Sequence, residues 1–288
     1  MSAMAASSKK RLSRSLVGDI TLFIFLGIFG AFMALPLVYT INNAFKPLDE
    51  LFLFPPKFLV RNPTLDNFFD LFHLMADSWV PFTRYVFNTV LITAAGTVGH
   101  VVLASAAAYP LAKHRFPGSK VLFTIVVLSL MFSQHVTAVP NYVIMSWLGW
   151  IDSYIAIIAP ALAASLGLYL MKQFMEQIPD ALLEAAKIDG ASEYHIFWQI
   201  VMPLVKPAWL TLVILLFQVL WGTDGGHFIY SEELKTMNYA LSQILAGGIV
   251  RAGPGAFVAL LMMSVPITIF VISQSNIIET MASSGMKE

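Results

Sequence analysis

Residues 172–206 read KQFMEQIPDALLEAAKIDGASEYHIFWQIVMPLVK, a mixed polar stretch set between long apolar runs. Pro179 followed by Asp180 predicts a helix beginning at Ala181, with the Asp180 carboxylate as its N-cap. Gly190 should end that helix, because glycine takes the left-handed conformation without steric cost. Ser192 is placed to cap a second short helix from Glu193 to about Val201, which Pro203 should stop. Leu183, Ala186 and Gly190 share one side at helical spacing. Glu184 and Asp189 put carboxylates beside the small side chains of Ala185 and Ala186. Such a module suits insertion into a groove on a partner protein. A helix pair lying flat on a membrane would read the same way.

The surroundings favour a membrane protein. Of 288 residues, 58% are hydrophobic and 12% charged, against about 45–50% and 25% in soluble domains. A spanning helix needs roughly 20 apolar residues, and six stretches qualify: 20–45, 85–112, 121–151, 153–171, 207–223 and 252–278. The expected fold is therefore an all-α membrane protein of six transmembrane helices. The fifth stretch is short, but Val201 to Val205 can extend it, with Lys206 snorkelling to the interface. The third is too long for one span, and Pro140 with the Trp147–Trp150 turn suggests a bend near its outer end. Asp152 alone separates the third and fourth, so these should form a hairpin.

Lys9, Lys10, Arg11 and Arg14 precede the first span, and Lys113, Arg115 and Lys120 lie between the second and third. Placing both groups inside satisfies the positive-inside rule and leaves both termini cytoplasmic. The first span is too long for a signal core and is read as retained. The chain then divides into a cytoplasmic tail (1–17), a first span (18–45), an extracytoplasmic segment (46–83), a five-span core (84–278) and a cytoplasmic tail (279–288). Segment 46–83, with Phe54, Pro55 and Pro56, reads as an ordered surface piece with short interfacial helices. It is either a connector lying on the membrane or a docking surface for a soluble partner.

Several functions are disfavoured. The formal net charge is zero, which offers no basic field for nucleic acid. Cysteine is absent, and the six histidines form no His-Glu-x-x-His pair. There is no Gly-x-Ser-x-Gly elbow and no phosphate-binding Gly-x-x-x-x-Gly-Lys-Ser/Thr loop, so the chain is not expected to be an enzyme or to hydrolyse ATP itself. An ion-coupled carrier usually keeps charges mid-span. Here the span cores lack Asp, Glu, Lys and Arg, which points to energy supplied from outside the membrane. A purely structural membrane partner is the remaining alternative.

Glu184-Ala185-Ala186, then Gly190, Ile200, Met202 and Pro203, resemble the EAA signature of ABC-importer membrane subunits, with Met202 where leucine is preferred. The longer form Glu184-Ala-Ala-Lys-Ile-Asp189-Gly190-Ala191 is typical of the carbohydrate-uptake branch, which includes the smaller membrane subunit of the maltose importer. Asn88-Thr89-Val90, the run from Ala107 to Ala112, and Arg115-Phe116-Pro117-Gly118 are similar to the same family. The resemblance covers roughly 85–278. It implies a type I ABC-importer permease fold with a short cytoplasmic coupling helix between spans four and five. Glu184, Ala185, Ala186, Asp189 and Gly190 would carry coupling to the ATPase. It further implies a second homologous permease subunit, two ATP-binding-cassette subunits that bind ATP and Mg, and an extracytoplasmic solute-binding protein. The cargo would be a carbohydrate, by expectation an oligosaccharide. No catalytic residue, metal site or cofactor is expected in this chain itself.

Polar and aromatic side chains within spans are the leads for a substrate path: Gln134, His135, Gln218 and Trp221. Interhelical hydrogen bonding needs the same residue types. His100, among Ala94, Ala95, Gly96 and Gly99, reads as a packing residue. Trp221-Gly-Thr-Asp224-Gly-Gly-His227 departs from the Trp-Asn pattern of many relatives, and its glycines suggest a looser outer segment. The amphipathic end of the chain, from Ser273, either touches the ATPase as well or is a frayed terminus.

Overall fold

The computed structural model describes residues 16–76, 79–248 and 251–284. These residues form helices and turns, with no strand among them. In chain order the helices are α1 (Leu16–Ala44), α2 (Leu48–Leu51), α3 (Asp66–Ala76), α4 (Phe82–Lys113), α5 (Ser119–Ser129), α6 (Gln134–Trp147) and α7 (Ile155–Leu162). There follow α8 (Ser165–Glu176), α9 (Asp180–Ile188), α10 (Glu193–His195), a π-helical turn (Ile196–Val201), α11 (Met202–Leu204), α12 (Lys206–Trp221), α13 (Met237–Ala246) and α14 (Ala252–Ser284). The basic tail ahead of residue 16, residues 285–288, and the side chains of Gln134 and of 275–284 lie outside what is described.

By length and composition four helical stretches can cross a membrane: Val17–Ala44, Phe82–Lys113, Ile155–Glu176 and Ala252–Gln274. Glu193–Leu204 and Lys206–Trp221, bent by 75° against each other, add a fifth if taken as one span. The extension of the fifth stretch through 201–205 thus carries a bend at Val205. The third stretch also departs from expectation. It breaks at 130–133, and Pro140 sits inside α6 without ending it. No proline or glycine marks that break.

α4 is the central element, packed on α8, α12 and α7, while α14 packs on α12, α1 and α13. α1 buries none of its apolar stretch within this chain. Where α7 gives way to α8, the carbonyl of Leu162 accepts a 3.1 Å hydrogen bond from His100 Nδ1. That bond assigns the proton to Nδ1, because a carbonyl can only accept. The imidazole fits because position 167 is glycine: a Cβ there would lie 1.9 Å from His100 Nε2.

Beyond the glycines that follow Trp221, the segment is tied to its neighbours. Asp152, at φ +60°, accepts from the backbone N–H groups of Tyr230 (2.9 Å) and Ser231 (2.8 Å) and from the Ser231 hydroxyl. Asn88, fully buried on α4, donates to the carbonyls of Glu233 and Lys235, both at 2.8 Å, and accepts from Tyr154 at 2.7 Å. Thr89 accepts from Met237 N at 2.8 Å. The Asn88-Thr89 pair thus ties this segment to α4.

Gly167→Ala should cost about 1–3 kcal/mol through overpacking against His100, whereas Gly27→Ala, mid-helix with nothing within 4 Å, should cost nothing and gain up to about 0.5–1 kcal/mol. Thermal unfolding in detergent, followed by tryptophan fluorescence, checks the pair.

Candidate functional site

The polar stretch quoted at the outset forms one unit. Ala, Leu, Glu and Lys favour α9 intrinsically, with Asp180 in its first turn and Lys187 in its last, both complementary to the helix dipole. Asp180 does not act as the N-cap expected for it: Pro179 takes that position and no side chain caps the helix. The Asp180 carboxylate turns instead to Lys113 Nζ at 2.8 Å. At the other end, Ala191 N bonds Ala186 O and Gly190 N bonds Lys187 O, each at 3.0 Å, with Gly190 at φ +83°. This is a Schellman closure, and the left-handed residue is the one the motif requires. Ser192 then caps the next helix, accepting from His195 N at 3.3 Å. Pro203 does not stop that helix, which runs on through the π-turn to Leu204.

α9 is held from below. Leu183 is buried in a core with Tyr109, Met171, Met175, Ile196, Phe197 and Val201, and Ala186 packs at its edge. Lys113 also donates to the carbonyl of Ile178. Across the Gly190 turn, the Glu193 carboxylate accepts from Lys187 Nζ at 2.5 Å and from the Tyr109 hydroxyl at 2.9 Å. The end of α4 therefore grips both sides of the turn. Glu184, Ala185, Asp189 and Gly190 are left exposed on the far side, together with Ile188 at 86% exposure. Asp189, Gly190 and Ala186 also line an open hollow of about 540 Å³ with Ser192, His195 and Ile200.

Tyr109, Lys113 and Glu193 were missed as site residues. Lys113 counted only towards orientation and Tyr109 only as part of a run, because their partners lie 65 or more residues away. Hydrogen bonding from Lys113 holds the Asp180 carboxyl below its usual range, and hydrogen bonding from Lys187 does the same for Glu193.

The rod Glu193–Leu204 meets α12 at the 75° bend. There the Trp209 indole N–H donates to Met202 O at 3.1 Å, strapping the bend from its α12 side.

The four residues considered for a substrate path are not joined by any described contact. His135 on α6 and Gln218 on α12 are exposed, and only the backbone of Gln134 is described. Trp221 is buried, stacked on Phe217 at 5.4 Å, with its indole N–H bonded to Met262 O at 2.9 Å. That carbonyl lies four residues before Pro266, which has no N–H to give it. Trp221 supplies the donor that the proline removes.

The family model for the binding-protein-dependent transport system inner membrane component matches residues 100–282. Protein LplC of Bacillus subtilis (strain 168) is 35% identical over 222 residues, covering 75% of this chain and 71% of LplC. The sn-glycerol-3-phosphate transport system permease protein UgpE of Yersinia enterocolitica is 33% identical over 178 residues, 61% of this chain and 63% of UgpE. The polygalacturonan/rhamnogalacturonan transport system permease protein YtcP of B. subtilis is 30% identical over 219 residues, 75% of this chain and 73% of YtcP. In fold, the chain superposes with TM-score 0.76 on a chain of a bacterial ABC transporter involved in the import of the acidic polysaccharide alginate. That match covers 93% of this chain and 99% of the other at 20% identity.

Two outcomes are expected. Trp221→Phe should lose about 1–3 kcal/mol by orphaning Met262 O, and the loss should shrink in a Pro266→Ala background that restores a backbone donor. A double-mutant cycle on thermal or denaturant unfolding reads the difference. Because the Asp180 and Glu193 carboxyls are depressed, their ties are complete above the ordinary carboxylate values of 3.8 and 4.5. They are lost as pH falls through the lower folded values. Limited proteolysis across 177–193 should therefore stay slow until pH drops below that range, then accelerate.

Proposed function

Because the chain belongs to the family of binding-protein-dependent transport system inner membrane components, we propose that it is the permease subunit of an ATP-driven ABC importer for a carbohydrate of oligosaccharide size. The observation that carries this reading is the exposed face of α9. A short helix with small and acidic residues outward is fastened by Leu183, Lys113 and Glu193 to the helices that line the core. A force applied to Glu184, Ala185, Ala186, Asp189 and Gly190 has a rigid route into α4 and, through the bend at Val205, into α12. α9 is then the coupling helix, seated in a cleft of an ATPase subunit.

The proposed topology has six crossings, with α5 and α6 together making the third as a broken span. Both termini are cytoplasmic, as is α9. The first span (18–45) and the segment 46–83 precede a five-span core (84–278). ATP and Mg are bound and ATP is hydrolysed by two separate cassette subunits. A second, homologous permease completes the path, and a solute-binding protein delivers the cargo from outside. The carbohydrate assignment is supported by YtcP, a permease of polygalacturonan/rhamnogalacturonan transport, and by the alginate-importing transporter of like fold. His135 and Gln218, exposed on the isolated chain, are the path candidates that keep free polar groups; Gln134 shares the start of α6 with His135. Trp221 shapes that wall through its hold on α14.

The test uses the tagged chain purified from native membranes with whatever it binds. Wild type should bring down an ATPase and a second permease and, once reconstituted, take up sugar only with ATP and a binding protein. Ala185→Trp places bulk on an exposed position with no packing to disturb, and should cut ATP-driven uptake at least about tenfold, about 1.4 kcal/mol of coupling. Gly190→Pro, which cannot adopt φ +83°, should release the ATPase altogether. Uptake by the chain alone without ATP would sink the proposal.

A further inference from the structure

α1 ends at Ala44, and the chain then makes a loop whose polar atoms face inward and whose apolar side chains face outward. Its base is closed by side-chain to backbone bonds. Lys46, buried, donates to Asn43 Oδ1 at 2.8 Å and to Lys57 O at 2.5 Å. Glu50, also buried, accepts from the N–H groups of Arg61 and Asn62, both at 3.0 Å. Asn42 accepts from Val60 N at 3.0 Å, and Asn67 donates to the carbonyls of Ala44 and Lys46. Between these ties run Phe52, Leu53, Phe54, Pro55, Pro56, Lys57, Phe58 and Leu59. Phe54 is 95% exposed and Leu59 63% exposed.

The depth of this loop is fixed by α1. About 20 residues span the hydrocarbon core, and counting from Ile20 brings that boundary to Tyr39, where aromatic belts lie. The Tyr39 ring meets the Phe58 ring at 5.8 Å, and Lys46 Nζ lies 5.1 Å from its centroid. The bond from Val60 N to Asn42 sets the following residues one turn higher. The loop therefore folds back along the last turns of α1 to the level of Tyr39. Lys57, within the apolar run, and Arg61, just beyond it, bring cations to the height of the headgroups.

We propose that residues 52–59 are an interfacial anchor that inserts Phe54, Phe58 and Leu59 into the headgroup–acyl boundary of the leaflet where α1 ends. The partner is the lipid surface. Continuity with α1, which is long and apolar enough to cross a membrane, the Tyr39–Phe58 contact and the cations Lys57 and Arg61 favour it over a soluble protein. Exposed aromatic side chains beside proline on a tied base are the chemistry of such anchors. The anchor also sets the rotation and height of α1 in the bilayer. This inference rests on α1 crossing the membrane and not on the cargo assigned above.

The chain has no cysteine, so Phe54→Cys, Leu59→Cys, Asp49→Cys and Phe29→Cys each give this subunit a single site for a nitroxide label. The complex is placed in nanodiscs of phosphatidylethanolamine and phosphatidylglycerol, and unsubstituted complex sets the background. Power saturation compares collision with oxygen, which partitions into lipid, against a water-soluble nickel chelate. Labels at 54 and 59 should show an oxygen-to-nickel ratio several-fold above that at 49 and approaching that at 29. A nickel-accessible label at 54 and 59, with 29 still in lipid, overturns the anchor and leaves the span intact. Protection of 54 and 59 from both reagents overturns it in favour of a protein partner. A water-like reading at 29 overturns the span itself and the anchor with it.

Discussion

A carbonyl whose helical partner is missing must find another donor when its surroundings are apolar, and this protein answers that demand with side chains from distant helices. His100 serves Leu162 O at the break between α7 and α8. Trp221 serves Met262 O, left open by Pro266. Asn67 serves Ala44 O and Lys46 O where α1 ends. An unsatisfied group in an apolar medium costs several kcal/mol, so each of these bonds fixes the relative position of the helices it joins. The breaks are thereby turned into cross-links, and the packing of α4, α8, α12 and α14 follows from them.

The same logic explains which features could be read from the residues. Long uncharged runs predicted α1, α4 and α14 to within a few positions, because a helix is the sole open-ended way to satisfy a backbone in lipid. Gly190 marked the end of α9, since only that residue type closes a Schellman turn without strain. The break at 130–133 carried no local signal. The role of Trp221 was hidden because its acceptor lies 41 residues further on. Asp180 was misread for a related reason: a cap is judged from its own next turn, and the competing donor, Lys113, stands on another helix.

Around α9 the pattern of exposure is the informative part. The residues that face outward are those a partner would touch, while Leu183, Lys113, Tyr109 and Glu193 supply stiffness behind them. Those supports come from α4 and from beyond the turn, so α9 cannot shift without carrying its neighbours.

α12 is joined at one end to the rod Glu193–Leu204 through the bend at Val205, and at the other to α14 through Trp221. With 16 residues it measures about 24 Å. On the proposed topology it is a lever pivoted near the cytoplasmic face. A tilt of about 10° at Val205 would swing the Trp221 end by about 4 Å on that length. The indole bond would draw α14 along. Small rotations delivered to the short helices at one face would thus be magnified into a displacement of two helices at the other.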